Sequence, residues 1–222
     1  MNIRQLCFRE PPKEVVYNVQ SSNSPKRRTA PQKKIGVLVM SYGTPASIDG
    51  IEAYYTHIRR GHPPTPEQLN ELISRYEAIV GGFFPLRANT DKQVAALEET
   101  LNREHSDMEF VTYQGLKHAE PYIEDGVAKM VEDGVREAVG IVLAPHYSAM
   151  SVGGYIARAQ EKKADDLGLR ITFIRSYHLH PLLIQALAER VEEALEKFTE
   201  AERNGLKVVF TAHSLPEKKY SK

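Results

Sequence analysis

The sequence predicts an α/β protein, a Rossmann-like parallel sheet flanked by helices, with a second similar domain that is incomplete. Three observations lead there. Short apolar runs recur at 35–40, 110–113, 138–143, 171–174 and 208–210, each the length of a strand buried on both faces. Between them lie longer stretches with helical spacing of apolar residues, and strands alternating with helices build right-handed βαβ units on a parallel sheet. Polar or aromatic residues then follow several of the runs: Tyr42, His118, His146 and His213. In open parallel sheets those positions converge on the carboxyl edge, where ligands bind.

The elements follow in order. Residues 1–33 differ from the rest, with Pro11, Pro12, Pro25 and Pro31, a Ser/Asn cluster at Ser21–Ser24 and basic Lys26-Arg27-Arg28. No period survives there, so a disordered leader is expected. It lacks the apolar segment of a secretory signal, and Glu10 and Glu14 count against a transit peptide. A leader peculiar to this chain and an early start codon are the alternatives. Ile35 to Met40 is the first strand, and Ser41-Tyr42-Gly43-Thr44-Pro45 its exit loop. Ile51 to Ile58 is a short helix. After the Pro63–Pro66 linker, Leu69, Leu72, Ile73, Tyr76 and Ile79 share one helical face, and Gly81-Gly82 ends that helix.

Thr90 with Gln93 has the form of a capping box, with Val94, Leu97 and Leu101 on the apolar face behind it. Phe110 to Tyr113 is the second strand, leaving into Gly115-Leu116-Lys117-His118. Pro121 suits the first position of a helix that turns Ile123, Val127, Met130 and Val131 inward and stops at Gly134. Ala138 to Leu143 is the third strand, Tyr155 to Leu167 a helix closed by Gly168, and Ile171 to Ile174 the fourth strand. Pro181 opens a helix through Phe198. Val208 to Phe210 is then a buried strand ending at His213, which Pro216 prevents from pairing further. The domains expected are 34–176 and the beginning of a second at 177–222.

Composition narrows the function classes. Formal net charge is zero across 222 residues, so bulk electrostatics offers nothing to nucleic acid. No uncharged apolar run is long enough for a membrane span. A single cysteine, Cys7, excludes an internal disulfide and a Cys-rich metal cluster, and points to a reducing compartment, the cytoplasm. No G-x-G-x-x-G or Walker sequence follows a strand, which disfavours nucleotides, and no G-x-S-x-G elbow supports a hydrolase.

Single residues admit two readings each. His213, at the end of a strand, is a metal ligand or a base near neutral pH, or a turn histidine with no task. His57 and Tyr54-Tyr55 pack on their short helix. Arg59-Arg60 is a solvated helix end or a fork for a carboxylate, and Arg75 points outward beside a core Tyr76. Phe83-Phe84-Pro85-Leu86 is an apolar ledge for a flat ligand, or a loop tucked onto the core.

Taken together, six segments in register resemble the ferrochelatase family, most closely the coproporphyrin ferrochelatases of Gram-positive-type bacteria. They are Val39–Pro45, Tyr55–Gly61, Arg75–Ile79, Gly115–His118, Leu143–Ser148 and Ala212–Glu217. The resemblance implies a lyase of haem biosynthesis that inserts Fe²⁺ into a porphyrin, either coproporphyrin III or protoporphyrin IX. Iron is then a substrate, no tightly bound cofactor is expected, and the protein is a monomer. His213 matches the family's iron-binding histidine, which also helps take up pyrrole protons. Tyr42 matches the tyrosine that reaches the metal from the opposite face. Arg59, Arg75, Tyr76 and Tyr155 match porphyrin-contacting positions, and Arg60 and His118 lie in matching motifs. Phe84 stands where the family often has a serine, so a hydroxyl contact is lost there.

Family members continue past this point with a second α/β domain that carries a glutamate facing the histidine, so a fragment or truncated reading frame is expected. Two other functions follow. The chain could hold porphyrin or haem without chemistry, or it could be a cobalt or nickel tetrapyrrole chelatase, a class that tends to pair histidines at the metal.

Overall fold

The computed structural model describes residues 33–78, 84–161 and 168–212. The expectations for the leader, for Ile79, Gly81-Gly82 and Phe83, for the helix end at Leu167, and for His213 onward lie outside them. Four parallel strands form one sheet in the order β2-β1-β3-β4: β1 Lys33–Ser41, β2 Met108–Leu116, β3 Glu137–Val142 and β4 Arg170–Ile174. The helices are α1 Ile51–Ile58, α2 Pro66–Ala78, α3 Pro85–Glu104, α4 Ile123–Glu132, α5 Val152–Glu161, α6 Pro181–Leu195 and α7 Glu200–Arg203. The α/β class and four of the five expected strands are therefore present.

β1 is buried from Ile35 to Ser41 because it is paired on both sides, Leu38 standing opposite Tyr113 of β2 and Gly140 of β3. β2 extends well past the expected 110–113 because it pairs with β1 along its whole length. On one face, Leu38, Met40, Tyr113, Ala138 and Val142 meet Ile123, Val127 and Met130 of α4 and Val152, Tyr155 and Ala159 of α5 in a single core. The close approach of α4 requires Gly126, where a Cβ would lie 2.6 Å from the Gln114 carbonyl oxygen and 2.9 Å from Leu38.

An edge strand presents unpaired backbone groups, and α3 closes those of β2. Asn102 donates to the Phe110 carbonyl and accepts from its N–H, both at 2.8 Å. Glu98 accepts from the backbone N–H and the hydroxyl of Thr112, each at 2.6 Å.

Several helix boundaries also differ from expectation, α5 beginning at Val152 rather than Tyr155 among them. α3 starts at Pro85, whose fixed φ and missing N–H suit a first helical position. Thr90 is consequently inside the helix and donates to the Leu86 carbonyl at 2.8 Å rather than capping. Pro121 precedes α4 instead of opening it. Tyr122 holds the cap position, its N–H bonded to Asp125 at 2.8 Å, and the Pro121 carbonyl accepts from Leu116 at 2.8 Å. α6 ends at Leu195, and a Thr199–Glu202 capping box starts the separate turn α7.

The larger correction is the fifth strand. Residues 204–212 pair with no strand among the described residues, and Val209 and Phe210 are 78% and 81% exposed. An apolar run becomes a strand only where a partner supplies its hydrogen bonds. Here Val208 and Phe210 instead line a shallow groove with Leu187, Val191 and Phe198. Among the described residues, no helix is long and apolar enough to cross a membrane.

Candidate functional site

The carboxyl edge of the sheet is assembled by its backbone. Leu143, leaving β3, donates to the Met40 carbonyl at 2.8 Å. Lys117 and His118, leaving β2, donate to the carbonyls of Ser41 and Tyr42 at 2.9 and 3.1 Å. The exit loops of β1 and β2 are thus zipped together, which brings the rings of Tyr42 and His118 to 4.6 Å. Gly43 turns the β1 loop at φ +81, and a Cβ there would meet Leu116 at 2.9 Å.

α1 packs over this junction through a small second core of Tyr54, Leu116 and Ala119, with Ile58 and Tyr76 against it. That seats His57 so that its Nδ1 is 3.0 Å from Nδ1 of His118, while its ring stacks on Tyr122 at 5.1 Å. A cavity of about 770 Å³ opens beside the pair, bordered by Thr56, Arg60, Lys117 and Arg158. Arg158 forks onto Glu124 through two bonds of 2.7 Å and donates a third, 2.6 Å long, to the Lys117 carbonyl. The Lys117 ammonium lies 5.1 Å from the centre of the Tyr155 ring.

The cations and the burial set the protonation states. Burial, then Lys117, His57 and Arg158, hold His118 down at about 4, so its imidazole is neutral at physiological pH and able to act as a ligand or proton acceptor. Lys117 is lowered by burial and by Arg158. Burial raises Tyr42, with Tyr76 adding to it, and likewise raises Tyr54 and Tyr155. These phenols stay protonated. The Ser41 and Thr44 hydroxyls are buried at the same edge without a hydrogen-bond partner among the described residues.

The residues singled out from sequence separate into groups. Tyr42 and His118 meet. Arg60, in a left-handed conformation at φ +57, borders the cavity. Arg59 turns elsewhere, donating to the His62 carbonyl at 3.1 Å with its guanidinium 5.5 Å from the Tyr55 ring. Arg75 is exposed and ion-paired with Glu71 one turn back. Tyr76 packs on Phe84 with ring centres 5.1 Å apart. Phe84 is only 8% exposed, so it is tucked onto the protein rather than offered as a ledge, because Tyr76 and the start of α3 cover it. Tyr155, 5% exposed, belongs to the main core. His213 lies outside the described residues. The ring of His146 lies 4.7 Å from that of His178.

Sequence reasoning passed over His57, read as packing, and the Arg158–Glu124 pair. No local pattern could have joined Arg158 to Glu124, which meet only because α4 and α5 lie side by side.

The family model described as Ferrochelatase matches residues 34–222. The coproporphyrin III ferrochelatase of Staphylococcus epidermidis RP62A is 50% identical over 185 residues, 83% of this chain and 60% of that protein. The coproporphyrin III ferrochelatase of Halalkalibacterium halodurans is 50% identical over 187 residues, 84% of this chain and 59% of that protein. That of Bacillus subtilis 168 is 49% identical over 187 residues, 84% and 60% of the two chains. This chain therefore spans about 60% of the length of the curated relatives it matches. With a match that runs from β1 through the whole edge just described, the chain belongs to the ferrochelatase family.

Proposed function

We propose that the protein acts in haem biosynthesis by inserting Fe²⁺ into coproporphyrin III, with protoporphyrin IX as the alternative ring. The observation that carries this reading is the Tyr42–His118 wall, zipped together by backbone bonds and bordered by a cationic cavity. A flat aromatic ring bearing several carboxylates fits such a place. Its face lies against aromatic side chains, and its carboxylates meet guanidinium groups that bind them in two parallel bonds. The names of the relatives favour coproporphyrin III over other rings.

Metallation releases two pyrrole N–H protons as the metal enters, so a ligand and a base are needed near the ring centre. In the proposed arrangement His213 binds iron and accepts a proton, its imidazole being suited to both. Tyr42 faces the metal from the other side as a neutral phenol. Arg59 and Arg75 anchor propionates, while Tyr76 and Tyr155 contact the ring. Arg60 and His118, which both line the cavity, are further contacts. The protein works as a cytoplasmic monomer with no resident cofactor, and residues 34–176 form the domain that grips the porphyrin.

A second reading is favoured by the exposed run at Val208–Phe210: the chain holds porphyrin without turnover. An anaerobic absorbance titration of the full chain with coproporphyrin III, then Fe²⁺, separates the two. A shifted porphyrin spectrum followed by the metalloporphyrin spectrum supports insertion, and loss of the second step in His213→Ala supports its assigned role. Binding without metallation supports the second reading, and an unshifted spectrum sinks both.

A further inference from the structure

Lys117 is a half-buried cation that no Asp or Glu among the described residues offsets. The charge acting on it is a like one, Arg158, which together with burial lowers its pKa. Its ammonium is held 5.1 Å from the centre of the Tyr155 ring. Its backbone is fixed on both sides, the N–H by the Ser41 carbonyl and the carbonyl by Arg158. A charge drawn out of water in this way costs free energy until an opposite charge meets it. We propose that Lys117 is a specificity residue: it receives a carboxylate that the four-carboxylate ring of coproporphyrin III carries and the two-carboxylate ring of protoporphyrin IX lacks. The inference rests on the porphyrin-metallation reading and deepens it.

The cavity beside Lys117 suits a side arm rather than a whole ring. It shares His118 with the Tyr42 wall, but Tyr42 does not line it. The ring face therefore stays on the wall, and a substituent at the rim enters the cavity. Elimination leaves few cations to meet that substituent. Arg158 is committed to Glu124 and to the Lys117 carbonyl. His57 and His118 meet each other head-on through Nδ1 at 3.0 Å. Lys117 and Arg60 remain on the cavity wall. On the reading above, Arg59 and Arg75 anchor two propionates, which is all that protoporphyrin IX has. Coproporphyrin III has two more, where protoporphyrin IX carries neutral vinyl groups, and Arg60 and Lys117 are the cations left for them. With protoporphyrin IX bound, Lys117 faces a vinyl group and stays unmatched. A buried polar group deprived of its partner is what lets a site reject a close analogue.

The test is an absorbance titration of the full chain, without iron, with coproporphyrin III and with deuteroporphyrin IX, a two-carboxylate ring. The parent should bind both, coproporphyrin III more tightly. Lys117→Met should reduce that preference by roughly tenfold or more, the scale of a hydrogen bond between charged groups. Lys117→Arg, which keeps the charge, should restore most of it. Circular dichroism checks that the variants fold. Independently of any variant, lysine acetylation of the parent read by mass spectrometry should show Lys117 protected more by saturating coproporphyrin III than by saturating deuteroporphyrin IX. An unchanged preference in Lys117→Met, or equal protection by the two rings, overturns the inference and leaves the porphyrin reading standing. A parent that shifts the spectrum of neither ring overturns that reading, and this inference with it.

Discussion

Arg158 and Glu124 face each other as a fork on a fork, two parallel bonds of 2.7 Å joining α5 to α4. The third bond from Arg158, to the Lys117 carbonyl at 2.6 Å, makes the same guanidinium a brace for the loop that carries His118. Both side chains are largely buried. Removing the guanidinium strips a partly buried carboxylate of its main partner, and bonds to charged groups contribute about 1.5–3 kcal/mol. Arg158→Met should therefore lower stability by about 2 kcal/mol in urea unfolding. Arg158→Lys should recover only part of that, because an ammonium cannot make the two parallel bonds. Equal midpoints for parent and Met variant would show that the brace contributes nothing.

The depressed His118 predicts a pH dependence. An ordinary histidine titrates near 6.5, and this one is held near 4. Between those values the unfolded chain takes up a proton that the folded chain refuses. The contribution of neutral His118 is thus fully present above pH 6.5 and is lost as the pH falls toward 4. The stability difference between the parent and His118→Gln should shift toward the variant over that window. Proton NMR of the His118 ring gives the direct check, and a midpoint at 6.5 contradicts the burial described.

Gly126 sets how closely α4 lies on the sheet. A methyl group there meets a backbone carbonyl at 2.6 Å, which no rotamer change relieves. Gly126→Ala should cost about 1–3 kcal/mol through overpacking, even though alanine favours helices. A stabilised variant would mean that the helix rides higher than described.

The exposed run 208–210 gives the opposite test. Val209→Asp should change stability by no more than about 0.5 kcal/mol, as surface positions do, and should reduce aggregation. Val39→Asp, at the buried centre of β1, should prevent folding. A large loss from Val209→Asp would instead indicate the buried strand that the sequence predicts.

Local patterns carried much of the fold. β1, β3 and β4 were legible because apolar runs of strand length are bounded by loop residues, and α1 because Ile51 to Ile58 ends at a glycine-marked turn. The beginning of α3 was misplaced at Thr90 because a capping pattern competes with Pro85, and only the chain's path across β2 decides between them. At the site, Tyr42 and His118 were legible as residues that follow strands in a parallel sheet. His57 was not, since a histidine on a short amphipathic helix has the same local sequence whether it faces a partner or the core.

The sequence by itself determined the α/β class, the polar residues along the carboxyl edge and the likeness to ferrochelatases, since strand periodicity and motif order are properties of a linear chain. Tertiary structure alone decided that Arg60 and not Arg59 borders the cavity, that Phe84 is tucked in, that His57 meets His118, and that Val208–Phe210 finds no strand partner among the described residues. Each of these depends on which distant backbone lies alongside, and hydrogen bonds and burial exist only between surfaces that folding has brought into contact.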